Sequence, residues 1–471
     1  MIGISSYGAY IPIYRLTQKE IARAWGKRGR GGEKAICNSD EDSITMAVEA
    51  ALDCIADTPR EEVDALYFAS TTSPYLEKQS ASIIATACDL REDIVTIDFG
   101  NSIRASTNAF QAALNAVAAG TAKKVVVVAS DCRIAPPNSL YEKMYGDGAA
   151  AFMISDSDVA VTITDTYSMT SEFMDVWRKP GDLYPQMWED RFVSVEGIQN
   201  IFPNAIKMAI EKFGTSIKVF DKVIYFAPDS RAHGTLGNLL GLDAEKVQDP
   251  MFGVMGNTGT AFSPMMLVAA LEQAKAGAKI LWTNYSDGCD VYSLKVEDGI
   301  SNITGRRGIQ NHLESKMILP DYGKYLLFRN LVQVEQRREP DHPTAITMMW
   351  RETNQLTRLH GCKCNNCGTI QYPIQRVCTH CQTKDDFAEI RLSDKKGALF
   401  TYSINERALA IDPPVVLCIV DLDGGGRFYS NITDRDPENI EVGTRLEMTF
   451  RKIHDAGGFH NYFWKVRQIR C

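Results

Sequence analysis

Two Cys-x-x-Cys knuckles, Cys364-Asn365-Asn366-Cys367 and Cys378-Thr379-His380-Cys381, stand ten residues apart. Each short loop lets its two sulfurs reach one ion, and four thiolates at this spacing suit a tetrahedral zinc. A closed four-thiolate shell has no open position for water or substrate, so the expected Zn2+ is structural. Four free core thiols are the competing reading. Cys362 and His380 lie beside the knuckles, and a complete set of ligands leaves them no role. The chain holds 12 cysteines, the rest scattered through core-like segments, which fits a reducing, cytoplasmic compartment.

The elements around the knuckles mark a separate C-terminal region. Gln336-Arg337-Arg338-Glu339-Pro340-Asp341-His342-Pro343 is charged and proline-bounded, the composition of a linker. A helix and the ribbon are expected over residues 344–390. Five strand-like runs then follow over 391–471: Ala398–Asn405, Val415–Leu422, Arg427–Ile432, Thr444–Ile453 and Asn461–Ile469. Asp423-Gly424-Gly425-Gly426 joins the second to the third as a hairpin. Five short antiparallel strands predict a small OB-fold barrel. Such a barrel can hold single-stranded nucleic acid. Residues 336–471 carry 19 Lys and Arg against 17 Asp and Glu with no basic-aromatic stripe, and the whole chain has a net charge of -8. No nucleic-acid partner is expected.

The first 335 residues divide into two similar parts, 1–165 and 166–335. Asp64-Ala65-Leu66-Tyr67-Phe68-Ala69 is echoed by Asp221-Lys222-Val223-Ile224-Tyr225-Phe226-Ala227. Gly120-Thr121-Ala122-Lys123 opens a strand ending in Ser130-Asp131, and Gly277-Ala278-Lys279 opens one reaching Ser286-Asp287. The offsets are 156 to 158 residues. Each second strand follows an Ala-rich helical stretch, Asn108 to Ala119 and Ser263 to Ala276. Strands alternating with helices predict parallel α/β sheets covered on both faces. The helix after Thr107 reads as apolar nearly all round and is expected to be buried between the sheets. A chain of 471 residues, 45% hydrophobic, can bury such a core. No apolar run reaches the roughly 18–20 residues of a membrane span, and strand-like sequence follows Met1 without a signal segment. No membrane partner is expected.

Particular segments give this pattern a family. Tyr7-Gly8-Ala9-Tyr10-Ile11-Pro12, Ser73-Pro74-Tyr75, Asp98-Phe99, Trp177-Arg178-Lys179 with Tyr184-Pro185, and Gly256-Asn257-Thr258 together resemble the archaeal form of 3-hydroxy-3-methylglutaryl-CoA synthase. The resemblance covers most of residues 1–335. It implies the duplicated thiolase-like fold, two βαβαβαββ halves, in a homodimer or larger assembly. The ribbon and barrel resemble the zinc-ribbon/OB domain that accompanies archaeal thiolase–synthase complexes, which implies acyl-CoA as the ligand and possible pairing with a thiolase-fold partner.

The same resemblance locates a disrupted active site. In the family, Asp-Phe is followed by three residues and then the acyl-accepting Cys; here Ile103 takes that place and Ser102 falls one residue short. Ile103 cannot accept an acyl group. Ser102 carries a hydroxyl, but it would point differently and needs a general base; otherwise it fills a small-residue position. The family's His is replaced by Phe226, with Asp229 and His233 nearby as possible substitutes or as loop residues. Glu142, in Tyr141-Glu142-Lys143-Met144-Tyr145-Gly146-Asp147-Gly148, matches the family's general acid/base; the bland alternative is a solvated loop glutamate. Asn257 is the matching amide donor to a thioester oxygen, or else a turn residue.

Two function classes fit. One is an enzyme that forms or cleaves a C–C bond of a CoA thioester, aldol or retro-aldol in type, without an acyl-cysteine. Steroid side-chain aldolases, which resemble thiolases lacking the nucleophile and work with a zinc-ribbon/OB partner, are a precedent in kind. The other is a non-catalytic CoA-binding or scaffold subunit of a thiolase-type complex. An acyltransferase using Ser102 is a third, weaker reading.

Overall fold

The structure is a computed structural model that describes every residue except 30, 335–343 and 471. The expected linker therefore lies outside the described residues. The chain forms two compact units. The first comprises residues 1–37, 42–85 and 90–325; the second comprises 38–41, 86–89 and 326–471.

The first unit is built on a nine-stranded sheet: β1 (Gly3–Tyr10), β2 (Ala65–Ala69), β3 (Val95–Phe99), β4 (Lys124–Cys132), β5 (Asp147–Ser155), β6 (Val161–Thr170), β7 (Lys222–Ile224), β8 (Lys279–Tyr285) and β9 (Gly288–Val296). The order is β7-β8-β9-β6-β1-β5-β4-β2-β3. Read outward from the middle, β1-β5-β4-β2-β3 repeats as β6-β9-β8-β7. β2 runs parallel to β3 and β4, and β7 runs parallel to β8. The counterpart of β3 is reduced to one parallel bridge, Val223 with Val247. A two-residue antiparallel ladder, Gly3 with Thr162 and Ile4 with Val161, joins the halves. β6 is thus the first strand of the second half and runs across residue 165.

Helices cover both faces. α1 (Ser43–Ile55) starts in a capping box in which the Asp42 side chain accepts from the N–H groups of Ile44 and Thr45, each at 2.9 Å. It lies so close to β1 that a Cβ on Gly8 would meet the Cys54 nitrogen at 2.4 Å. α2 (Ser80–Ala87) receives the Asp98 carboxylate at its start, from Ser80 N–H and Ala81 N–H, both 2.7 Å.

Two helices serve both halves. α3 (Ala105–Ala118) places Phe110 edge-on to Phe152 of β5, Trp282 of β8 and Tyr292 of β9, with centroids 5.0 to 6.0 Å apart. Truncating such a fully buried ring costs about 3–5 kcal/mol. α6 (Phe262–Leu271) is buried at all ten positions and stops short of the expected Ala276; α4 (Phe202–Lys212) and α5 (Ser230–Leu239) precede it. α3 corrects the sequence reading. Its Asn108 and Asn115 are exposed with Gln111 half-buried between them, a polar stripe at helical spacing that faces away from the sheet.

The second unit carries the ribbon and the barrel. β10 (His360–Cys364) pairs with β11 (Ile370–Gln371) and β12 (Phe387–Arg391). A closed five-stranded barrel follows: β13 (Lys396–Asn405), β14 (Val415–Leu422), β15 (Arg427–Ile432), β16 (Arg445–Ala456) and β17 (Phe459–Gln468), in the order β13-β14-β15-β17-β16. The expected all-antiparallel arrangement is corrected at one seam, where β15 runs parallel to β17 through Ile432 and Val466. An odd number of strands cannot close with every pair antiparallel. Alternation on β14 sends Val416, Cys418, Val420 and Leu422 inward onto Phe428, Phe450 and Trp464. Among the described residues no helix is long and apolar enough to cross a membrane.

Candidate active site

The loop from β3 to α3 forms one wall of a cavity of about 1100 Å3 that lies wholly within the first unit. Asn101 takes the left-handed conformation at φ 69° and turns the chain into the helix. Ser102 closes the turn that leads into the helix: its carbonyl accepts from Ala105 N–H at 3.0 Å and its Oγ from Arg104 N–H at 3.2 Å, while Arg104 takes the N-cap position. The Ser102 hydroxyl donates in turn to Oδ2 of Asp287, 2.7 Å away in the β8–β9 turn. Ile103 lines the cavity and is largely buried, and its carbonyl accepts from the Asn284 amide at 3.3 Å.

Arg104 locks this corner. Its guanidinium donates to the carbonyls of Met169 (3.0 Å) and Asp287 (2.9 Å) and pairs with Asp290 at 3.0 Å. Asp290 also accepts from the Thr107 hydroxyl at 2.6 Å.

The opposite wall is held by Asp131. This fully buried carboxylate accepts from Ser70 Oγ (2.9 Å), from the Thr71 N–H and hydroxyl (2.7 and 2.8 Å), from the Thr72 N–H and hydroxyl (3.1 and 3.0 Å), and from Thr260 N–H (2.8 Å). Such saturation keeps a buried carboxylate satisfied while it fixes the 70–72 loop. Nearby, burial pushes the Asp175 carboxyl up to about 6, with the charge of Asp287 adding to the effect. Arg133, also on the wall, stacks over the Tyr145 ring at 4.4 Å.

The remaining candidates lie elsewhere. Glu142 is fully buried, one carboxylate oxygen accepting from Asn138 N–H at 2.7 Å and the other from the Tyr322 hydroxyl. Burial, and then this bond to Glu142, raise the Tyr322 phenol well above its ordinary value. The Glu142 carbonyl accepts from Lys34 Nζ. Asn257 is buried, its Oδ1 accepting from Gly259 N–H at 3.0 Å and its amide donating to the carbonyls of Ala227 (3.5 Å) and Pro228 (3.3 Å). Phe226 packs edge-on to Phe262 at 5.8 Å. None of the three lines the cavity. Asp229 caps α5 through Arg231 and Ala232 N–H, at 2.7 and 2.8 Å. His233 stacks on Tyr225 at 4.4 Å, and burial lowers it to about 4.

Comparison with known proteins gives the chain a family. A hydroxymethylglutaryl-CoA synthase of Archaeoglobus fulgidus is 31% identical over 345 residues, which span 71% of this chain and 100% of the relative. The chain belongs to the hydroxymethylglutaryl-CoA synthase family. A second such synthase, from Thermococcus sibiricus, is 33% identical over 307 residues, covering 64% of this chain and 87% of the relative. Residues 357–386 match the ChsH2 rubredoxin-like zinc ribbon domain, and 389–451 the ChsH2 C-terminal OB-fold domain. In fold, the chain resembles a solved HMG-CoA synthase complexed with CoA (TM-score 0.64, 19% identity, 73% of this chain and 93% of that one). It also resembles 3-oxoacyl-(acyl carrier protein) synthase III of Pseudomonas aeruginosa (TM-score 0.57, 17% identity, 63% and 98%). Segments that carried the sequence resemblance, Ser73 and Tyr75 in one loop and Trp177, Arg178 and Lys179 in another, line the cavity.

In the ribbon, the sulfurs of Cys364 and Cys381 are 3.6 Å apart and those of Cys367 and Cys378 3.5 Å, all four within 4.8 Å of one another. A regular tetrahedron of 2.3 Å zinc–sulfur bonds has edges of about 3.8 Å, so the four positions fit a thiolate-bound ion.

Sequence reasoning missed Asp287, Asp131 and Asp175. The repeat did hold a signal, because it set Ser130-Asp131 and Ser286-Asp287 at equivalent strand ends. Sites of open α/β sheets gather at the carboxyl ends of their strands.

Proposed function

We propose that this protein binds a CoA thioester in the cavity at the start of α3 and forms or cleaves a C–C bond beside the thioester carbonyl, without a covalent acyl-cysteine. One observation carries the reading: the cavity contains Ile103 where an acyl acceptor is expected, and a hydrogen-bonded hydroxyl–carboxylate pair, Ser102 with Asp287, immediately beside it. Retro-aldol cleavage of a 3-hydroxyacyl-CoA needs a base for the hydroxyl and stabilisation of the thioester enolate, both available without a thiolate. The N-terminal end of α3 supplies a favourable dipole for the enolate oxygen.

The ribbon would hold one structural Zn2+ through Cys364, Cys367, Cys378 and Cys381, and the metal would stabilise folding rather than take part in chemistry. A homodimer is expected through β3. This edge strand exposes Val95 and Ile97 (54% and 36%), and an apolar edge is a template for strand pairing.

The scaffold reading draws on a different observation, the full engagement of Glu142 and Asn257 in structural hydrogen bonds. Incubation of the purified protein with a panel of 3-hydroxyacyl-CoA esters distinguishes the two. Release of an aldehyde or ketone with the matching acyl-CoA is expected. Tight CoA binding with no turnover across the panel would favour the scaffold.

A further inference from the structure

We propose that Asp287 is the catalytic acid/base of this site and that Ser102 positions it, the pair standing in for the absent cysteine and histidine. The inference rests on the reading of the cavity as a CoA-thioester site.

The geometry is specific. Ser102 and Ser286 both direct their hydroxyls to Oδ2 of Asp287, at 2.7 and 3.2 Å, so Oδ1 has no protein donor among the described residues and is left for a ligand. Asp287 and Ile103 both line the cavity, and the residue that Asp287 holds, Ser102, directly precedes Ile103. Its backbone is fixed in the left-handed region at φ 48°, with its carbonyl bound by Arg104. The carboxylate is thus held from two elements, the start of α3 and the β8–β9 turn.

Two other carboxylates around the cavity are fully engaged: Asp131 meets six donors and Asp98 caps α2 through both oxygens. Asp182 accepts from Lys179 N–H (3.0 Å) and the Gln186 amide (3.1 Å), both on Oδ2, and among the described residues it has no hydroxyl donor and no hydrogen bond to the loop that carries Ile103. Glu172 lines the cavity as an exposed side chain, and among the described residues no hydroxyl orients it. Asp175, raised to about 6 by burial and then by the charge of Asp287, is a buried neighbour whose own oxygen accepts from Val176 N–H at 2.6 Å.

The step balances without any co-reactant. Asp287 takes the proton from the β-hydroxyl of a 3-hydroxyacyl thioester. The C–O bond becomes a carbonyl as the Cα–Cβ bond breaks, and its electron pair moves to Cα as the thioester enolate. The carboxylic acid then returns the same proton to Cα. The products are an aldehyde or ketone and the shortened acyl-CoA. The reverse sequence is the aldol addition, in which Asp287 first removes a Cα proton.

That half-reaction provides the test. Acetyl-CoA and propionyl-CoA are incubated with the full-length protein in D2O, and deuterium at Cα is followed by mass spectrometry while calorimetry reports binding. Wild type is expected to exchange Cα protons. Asp287→Asn should slow exchange by about 10²–10³-fold with binding kept, and asparagine is tolerated at positive φ, so the turn is preserved. Ser102→Ala should slow exchange about tenfold, and Ser102→Thr should restore it by returning a hydroxyl donor. Binding without exchange by wild type, or exchange that survives Asp287→Asn, overturns the pair and leaves the thioester reading standing. Failure of both thioesters to bind overturns both.

Discussion

Asp131 and Asp287 stand at matching ends of equivalent strands, one at the close of β4 and the other just past β8, and they have opposite fates. Asp131 is buried and filled by six donors, whereas Asp287 is exposed on the cavity wall with only Oδ2 engaged. The duplicated fold thus places two carboxylates in parallel positions. Burial makes one a fastener, and exposure leaves the other open to a ligand.

Asp131→Asn should therefore be costly. An amide cannot accept all the bonds the carboxylate takes, and it leaves buried donors unmet around Ser70, Thr71, Thr72 and Thr260. A loss of about 2–4 kcal/mol is expected in denaturant unfolding. An unchanged midpoint would mean that the 70–72 loop is held by other contacts.

Zinc should be present at one equivalent per chain. Chelation, or Cys378→Ala, is expected to unfold the ribbon while the sheet of the first unit persists, because residues 357–386 have little core of their own. Elemental analysis below half an equivalent in undamaged protein would count against the thiolate site.

No stable acyl adduct is expected after incubation with acetyl-CoA or acetoacetyl-CoA. Ile103 holds the acceptor position, and the Ser102 hydroxyl donates to a carboxylate rather than to a histidine. Intact-mass spectrometry checks this. An adduct mapped to Ser102 would promote the serine-nucleophile reading.

Much of this architecture was legible from local pattern. The β14 and β15 boundaries follow from alternation and from the glycine turn, where Gly424, Gly425 and Gly426 all take positive φ. The ribbon followed from knuckle spacing, and the halves from the repeat. The parallel seam between β15 and β17 was not legible, because pairing of distant strands leaves no mark on either one. The partners of the site's side chains were hidden for a similar reason. Ser102 and Asp287 lie 185 residues apart, as Glu142 and Tyr322 lie 180 apart, and a side chain's partner at that distance is a property of the fold.

Asp175 gives a pH signature. Its folded value of about 6 lies above the ordinary 3.8, so the neutral form is favoured in the fold. Its contribution to stability is full below about pH 4 and is lost as pH rises to about 6, an effect of about 2–3 kcal/mol. Glu272, raised to about 6 chiefly by burial, acts with the same sign. His233 opposes them: lowered from 6.5 to about 4 by burial, it loses its contribution as pH falls through that range. The measurement is therefore a difference. Asp175→Asn should gain stability relative to wild type between pH 4 and 6, and a flat difference would remove the assignment.

Glu142→Gln separates a proton-transfer role from a structural one. If Glu142 moved a proton in turnover, the amide would lower the rate about 10²–10⁴-fold while the fold persisted. The structure instead has both carboxylate oxygens holding donors, the Tyr322 hydroxyl and the Asn138 N–H, outside the cavity lining. Glutamine keeps one carbonyl acceptor and turns the other position into a donor, which faces an N–H or a hydroxyl that must rotate away. The expected outcome is a stability loss of about 1–3 kcal/mol with CoA binding and turnover changed less than about tenfold. Tyr322→Phe should reproduce part of that loss, since it removes the same bond from the other side. A Glu142→Gln protein as stable as wild type but inactive in the 3-hydroxyacyl-CoA assay would return Glu142 to the chemistry and require the loop around it to move toward the cavity.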